Sequence, residues 1–408
     1  MTPINEIKKV FPMRTFIIAV VTFLVLNCIN IYKNYHPACI SPDEELLQKG
    51  RVAVYRLLEG EIDEEKLSLF LYKYDEITEI VQSGNYDTSE ADFEKYFCGY
   101  AYGDKNIFDE VYTEFRRQIE YEASVSKIRD EALDNMDFFK GIENSLLYAQ
   151  NEYIFSHFDA RQINSFYYTS PAISLFTYNL STVLILLLIL LLFSPIFSVE
   201  RESEMFDLLC CTKRGSRKTV FGSIWTNKIK LLFSVVTILV LLFGVSDMVC
   251  LKLCLKFNGL FQPIFVIEEF QNTSLTCSIF SFWLLNLLFK WFGFIIIGLM
   301  VIAVSKTQKS SAFSYIISLV SVALCMFINV IPVGGIGDIV NLFNPISMFI
   351  IYKDFASFEM MTNSRFFLTQ YMAVILGNIC SAVILLLSLF MLPRGKVKIR
   401  RGVIRCRF

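Results

Sequence analysis

The chain has 408 residues, 54% of them hydrophobic, and a mean hydropathy of +0.49. That is too apolar for an ordinary soluble protein, and several runs are long enough to cross a bilayer. The net charge of -1 conceals a division: residues 33–172 hold 28 Asp/Glu against 14 Lys/Arg, while the remainder holds 11 against 24. Such a division is expected when one part faces the outside and the rest meets anionic lipid on the inner surface.

The expected elements, in chain order, begin with a short basic segment, 1–14, containing Lys8, Lys9 and Arg14. An apolar run over 15–32 follows; it lacks a small-x-small cleavage site and reads as an uncleaved first span. Residues 33–172 contain no membrane-length apolar run and few glycines or prolines, and read as an acidic helical domain. The spacing predicts helices over 43–58, 62–81, 107–139 and 142–157, with Gly60 and Gly84-Asn85 as breaks. Enough large apolar residues are present for this region to fold as its own domain. A second span covers 173–199, with Ser194-Pro195 near its end, where proline kinks a helix. A charged loop, 200–228, separates it from the third run, 229–251. The fourth run is 278–304, the fifth 312–331 and the sixth 367–392. Between the last two, 332–352 is too short and too broken to span; Gly334, Gly335, Gly337, Asn341, Asn344 and Pro345 suit a re-entrant turn, with a surface loop as the alternative. The tail 393–408, from Arg394 to Arg407, reads as an anchor on a lipid surface, not as a nucleic-acid contact.

Basic residues in the short loops set the orientation. With the N-terminus inside, the inner segments hold 19 Lys/Arg and the short outer loops 4. The expected fold is therefore an all-α integral membrane protein of six transmembrane helices in the plasma membrane. Both termini are cytoplasmic, and the large helical domain between spans one and two is extracellular.

Catalytic constellations are missing from the sequence. The two histidines, His36 and His157, lie apart in the acidic domain, and no phosphate loop, GxSxG or HExxH occurs. No CxxC pair is matched for zinc. No cofactor or metal is expected, nor an enzymatic activity of the chain itself. Of the 11 cysteines only Cys39 and Cys98 fall in the acidic region; two free thiols are the default there and a disulfide is the alternative.

The charged loop is the most informative stretch. Glu200, Glu202, Glu204 and Asp207 crowd its start, and Lys213, Arg214, Arg217 and Lys218 its end. Met205, Leu208, Leu209 and Thr212 recur between them at helical spacing, and Gly215 can stop a short helix in the left-handed conformation. Glu200-Arg201-Glu202, an apolar stripe and then Thr212-Lys-Arg-Gly215-Ser-Arg217 resemble the loop between spans two and three of ABC-2-type permeases. These are the membrane subunits of type V ABC exporters, found widely in Gram-positive bacteria. Glu204-Met205 stands here where that family usually has Gly-Thr. The layout of six spans with a large domain after the first is similar throughout the chain.

The resemblance implies that the loop is a coupling helix on which a separate ATP-binding cassette ATPase subunit docks. It also implies that the chain pairs with a second permease copy or a sister permease. Met205, Leu208 and Leu209 would seat in the ATPase, and Glu200, Arg201, Glu202, Arg214, Gly215 and Arg217 would fix its register. The alternatives are an interfacial helix resting in lipid and, for the whole chain, a non-transporting membrane sensor or antimicrobial-peptide immunity protein that binds its ligand in the extracellular domain. Asp247 and Lys290 are charges within or beside spans. They read either as an intramembrane pair lining a path, or as a simple exit to water for Asp247 and snorkelling for Lys290.

Overall fold

The structure is a computed structural model that describes residues 13–84, 92–158, 161–203, 218–330, 336–356, 360–363 and 366–391. Residues 1–12, Asn85, the 332–335 stretch and the basic tail lie outside the described residues. The chain is about 81% helical with no sheet core. Six helices are long and apolar enough to cross a membrane.

The first of them, α1 (Met13–Tyr35), presents Ile18, Val21, Val25 and Ile29 outward. A head domain follows. Its first long helix, α2 (Pro42–Leu58), begins because Ser41 caps it, accepting a hydrogen bond from the Glu44 amide at 3.0 Å. Pro42 at the first helical position and Asp43, Glu44 and Glu45 in the first turn suit that end of the helix dipole. The next helix, α3 (Glu64–Ser83), is capped by Asp63 and closed by Gly84, whose φ of 65° is the left-handed stop expected there.

The long helix α4 (Ala101–Gly141) starts six residues before the expected position, 107. The carboxylate of Asp104 explains this: it accepts from the Phe97 and Cys98 amides at 2.8 Å each and anchors the turn that leads in. Helix α5 (Ser145–His157) is capped by Asn144. Two-residue strands, β1 (Gly60–Glu61) and β2 (Ser165–Phe166), pair antiparallel and bring the two ends of the head domain together.

The head domain's core is not separate from the bundle. Tyr55, Phe70, Phe108 and Phe166 belong to one continuous cluster with Phe176, Phe270, Phe282 and Phe355. Its apolar faces are covered in part by later segments of the chain, Phe270, Phe282 and Phe355 among them.

The second membrane-length helix runs from Ser170 to Glu202. Its regular part, α6 (Leu180–Phe193), is interrupted by a turn at Ser194–Phe197 before helix resumes over Ser198–Glu202. Pro195, which has no amide hydrogen, sits in that turn. Helix α7 (Lys218–Leu255) begins eleven residues before the expected apolar run, so the helix takes back the end of the expected 200–228 loop. Two 3-10 turns, Ile264–Val266 and Glu268–Phe270, lie in the link to α8 (Ile279–Thr307), which Ser278 caps. Then come α9 (Ser311–Val330), α10 (Ile336–Leu342), a buried 3-10 turn at Pro345–Phe349, and a hairpin of β3 (Met360–Asn363) with β4 (Phe366–Thr369). The sixth membrane-length helix, α11 (Gln370–Met391), starts after that hairpin, not at 367, because Phe366–Thr369 pair with β3.

The stretch between α10 and α11 shows how broken backbone is kept inside a bundle. Asn378 donates to the Leu342 carbonyl at 3.1 Å, Ser381 to the Phe343 carbonyl at 2.9 Å, and Asn344 to the Cys325 carbonyl at 2.8 Å. The Leu342 and Phe343 carbonyls, freed where α10 ends, thus find side-chain donors, and Asn344 adds a bond to a carbonyl within α9. The segment packs against the middle of α8: a Cβ on Gly293 would meet Phe349 at 2.9 Å and the Pro345 carbonyl at 3.1 Å. On α11 a Cβ on Gly377 would lie 2.3 Å from the Leu342 carbonyl.

Candidate functional site

At the bundle end farther from the head domain, the break in the second membrane-length helix leaves carbonyls without helical partners. Ser314 of α9 donates to the Ser194 carbonyl, and Ser305 of α8 accepts from the Phe197 amide at 3.0 Å. Lys228 of α7 donates to the Ile196 carbonyl at 2.7 Å. Lys228 is fully buried, lies 3.7 Å from the centre of the Phe197 ring, and pairs with Glu200 at 3.0 Å. Glu200 is itself only 6% exposed.

The rest of the Glu200-Arg201-Glu202 triplet makes two further ties. Arg201 donates to the Gln308 carbonyl at 3.1 Å, satisfying a group at the C-terminal end of α8. Glu202 accepts from the Ser311 amide at 2.9 Å and from its hydroxyl at 2.8 Å, capping the N-terminus of α9. One residue thus engages α7, the next α8 and the next α9. The triplet is a joint that ties the early part of α7 and the facing ends of α8 and α9 to the end of the second membrane-length helix.

Glu200, expected as a docking charge, is buried here against Lys228, where a desolvated lysine is stabilised by a carboxylate beside it. Met205, Leu208, Leu209, Arg214, Gly215 and Arg217 lie outside the described residues. Lys228 escaped the sequence reading, which counted it only as one more basic residue of the loop. The available signal was a lysine at the threshold of an apolar run facing a glutamate at the close of the preceding one.

Toward the head-domain end, Asp247 of α7 does not simply leave for water. Asn27 of α1 donates to its carboxylate at 2.5 Å. Asn27 is fully buried and accepts from the Tyr178 hydroxyl at 2.8 Å; Asn30 in turn donates to Tyr178 at 3.2 Å. The network ties α1, the start of the second membrane-length helix, and α7. Lys290 of α8 is buried and interacts electrostatically with Asp247, but among the described residues no ion-pair contact joins them. The two expected partners therefore lie in one region without forming a direct pair, and the polar residues that do hold Asp247 were not singled out in the sequence.

In the head domain, Glu114 is buried and accepts hydrogen bonds from Tyr55 and Ser170, each at 2.5 Å. Burial raises its pKa above the ordinary carboxylate value, against the pull of those two hydroxyls and of Arg117. Cys39 and Cys98 are free thiols; Cys39 is exposed and Cys98 is buried beside the Tyr100 carbonyl. Burial, with Asp104 nearby, pushes the Cys98 thiol up to about 12. Among the described residues no group of three or more His, Cys, Asp or Glu side chains converges as metal ligands would. Neither a family model, nor a curated protein, nor a solved structure matches this chain.

Proposed function

We propose that the chain is the membrane-spanning permease subunit of an ABC exporter of the ABC-2 type. Its partners are a separate ATP-binding cassette ATPase and a second permease copy or sister chain. The observation that carries this reading is the joint at Glu200-Arg201-Glu202. A loop that receives force from another protein must be tied to the helices it is to move, and here three consecutive residues reach α7, α8 and α9. Six membrane-length helices, and an excess of basic residues in the segments on the loop's side, support the same reading. In it the loop end is cytoplasmic, the head domain is extracellular, and 332–352 is a re-entrant segment. ATP hydrolysis belongs to the partner chain.

Purification of the tagged full chain from its native membranes tests this. A P-loop ATPase is expected to co-purify, and Leu208→Asp is expected to release it while the chain stays inserted. If no ATPase accompanies the wild-type chain, the reading fails. The competing reading is a non-transporting sensor, favoured by a head-domain core that runs without interruption into the bundle. In the same experiment it predicts a signalling protein in place of the ATPase.

A further inference from the structure

The head domain's excess of acidic residues makes any concentration of positive charge within it informative. A cavity of about 410 Å3 lies between α4 and the link that joins α7 to α8; Arg117, Tyr121, Val125, Phe158 and Asn272 are among its lining residues, with Glu120, whose carboxylate is paired with Arg116. Arg161 sits behind two of these, Tyr121 and Phe158, and is only 3% exposed. Its guanidinium meets neutral acceptors alone: the His157 carbonyl at 2.8 Å, the Thr273 carbonyl at 2.7 Å and the Tyr121 hydroxyl at 3.2 Å. It stacks over the Phe158 and Phe265 rings at 4.3 and 5.4 Å. Among the described residues no carboxylate contacts it. A buried cation lacking a counter-charge is costly and keeps its surroundings at positive potential.

Arg117 provides the contact point. Its Nη2 reaches the Val266 carbonyl at 3.4 Å, while its Nε is buried without an acceptor. Glu114 stands 3.9 Å away and is engaged by Tyr55 and Ser170. The nearer carboxylate is that of Glu268, 2.9 Å from Nη1, yet without hydrogen-bond alignment and on a side chain 77% exposed. Arg117 lines the cavity, whereas Glu268, on an exposed side chain, does not, so the guanidinium is open to a second carboxylate from the cavity side.

We infer that this cavity binds a small carboxylate attached to an apolar body. The carboxylate meets Arg117 from the cavity side, where a guanidinium offers parallel donors to two oxygens. The apolar body lies against Tyr121, Val125 and Phe158. Because one wall belongs to α4 and the other to the link between α7 and α8, the occupied cavity clamps the head domain to the bundle. The inference stands independently of transport.

A free organic acid and a peptide C-terminus share this chemistry, so the test uses both. N-acetylphenylalanine, its neutral amide and the tripeptide Gly-Gly-Phe are titrated against the detergent-solubilised full chain, with the thermal unfolding midpoint and calorimetric binding as readouts. The acid is expected to bind and raise the midpoint, and the amide to do neither. Arg117→Gln should weaken binding by about tenfold or more. Glu268→Gln should strengthen it by removing the internal competitor, and as a change at an exposed residue it keeps the test valid if Arg117→Gln does not fold. Tighter binding of the tripeptide than of the acid would identify a peptide terminus as the ligand, and the reverse a free acid. Equal binding of acid and amide, no binding of either carboxylate, or an affinity indifferent to both substitutions would overturn the inference.

Discussion

Lys228→Met puts the joint at the end of the second membrane-length helix to a quantitative test. The substitution keeps the length and apolar body of the side chain and removes its charge and donors. The interactions lost include the pair with Glu200 at 3.0 Å, the bond to the Ile196 carbonyl at 2.7 Å, and the position over the Phe197 ring at 3.7 Å. Were the pair exposed, its loss would cost about 0–1 kcal/mol. It is not exposed: Lys228 is fully buried and Glu200 nearly so. Stranding one member of a buried pair costs about 3–5 kcal/mol. The same reasoning makes the double variant Glu200→Gln/Lys228→Met milder than the sum of the two single changes, because no uncompensated charge remains.

The assay is equilibrium unfolding of the purified full chain in detergent, for both single variants and the double variant. A large loss for Lys228→Met, with a coupling of about 1 kcal/mol or more in the double-mutant cycle, is expected. A loss below about 1 kcal/mol, the exposed-pair range, or strict additivity of the two changes, would refute the assignment of this pair as a buried anchor.

Three further outcomes follow from the same structure. Gly377→Ala should destabilise by about 1–3 kcal/mol, since its new Cβ would press on the Leu342 backbone carbonyl; Gly141→Ala, with nothing within 4 Å, should not, and comparing their unfolding midpoints decides. The raised pKa of Glu114 means that, between its unfolded and folded values, the folded head domain holds a proton that the unfolded chain has released. Its contribution is therefore full below the ordinary carboxylate value and is lost as pH rises through the folded-state pKa. Glu114→Gln should flatten that fall, measured as unfolding midpoint against pH. Asn27→Leu removes the donor to Asp247 and the acceptor for Tyr178, and should cost about 1–3 kcal/mol for the buried groups left unmade; unchanged thermal unfolding would show that the network contributes nothing.

Composition and periodicity were enough to reveal six membrane-length helices and the helices of the head domain, because apolar length, caps such as Ser41 and stops such as Gly84 act over a few neighbouring residues. They also marked Glu200, Arg201, Glu202, Asp247 and Lys290 as unusual, since charge at the edge of an apolar run is visible in one dimension. What each of those charges touches is a different kind of fact. Glu200 meets Lys228 across 28 positions, Arg201 meets Gln308 across 107, and Asp247 meets Asn27 across 220. No local periodicity encodes which helix lies beside which, so only the packed bundle decided that Glu200 is buried against Lys228 while Arg201 and the exposed Glu202 reach the ends of α8 and α9, and that Asn27 donates to Asp247. The merging of head domain and bundle into one core was hidden for the same reason. Phe270, Phe282 and Phe355 look like ordinary apolar residues in the sequence, and only the tertiary fold brings them onto the cluster that holds Phe108 and Phe166.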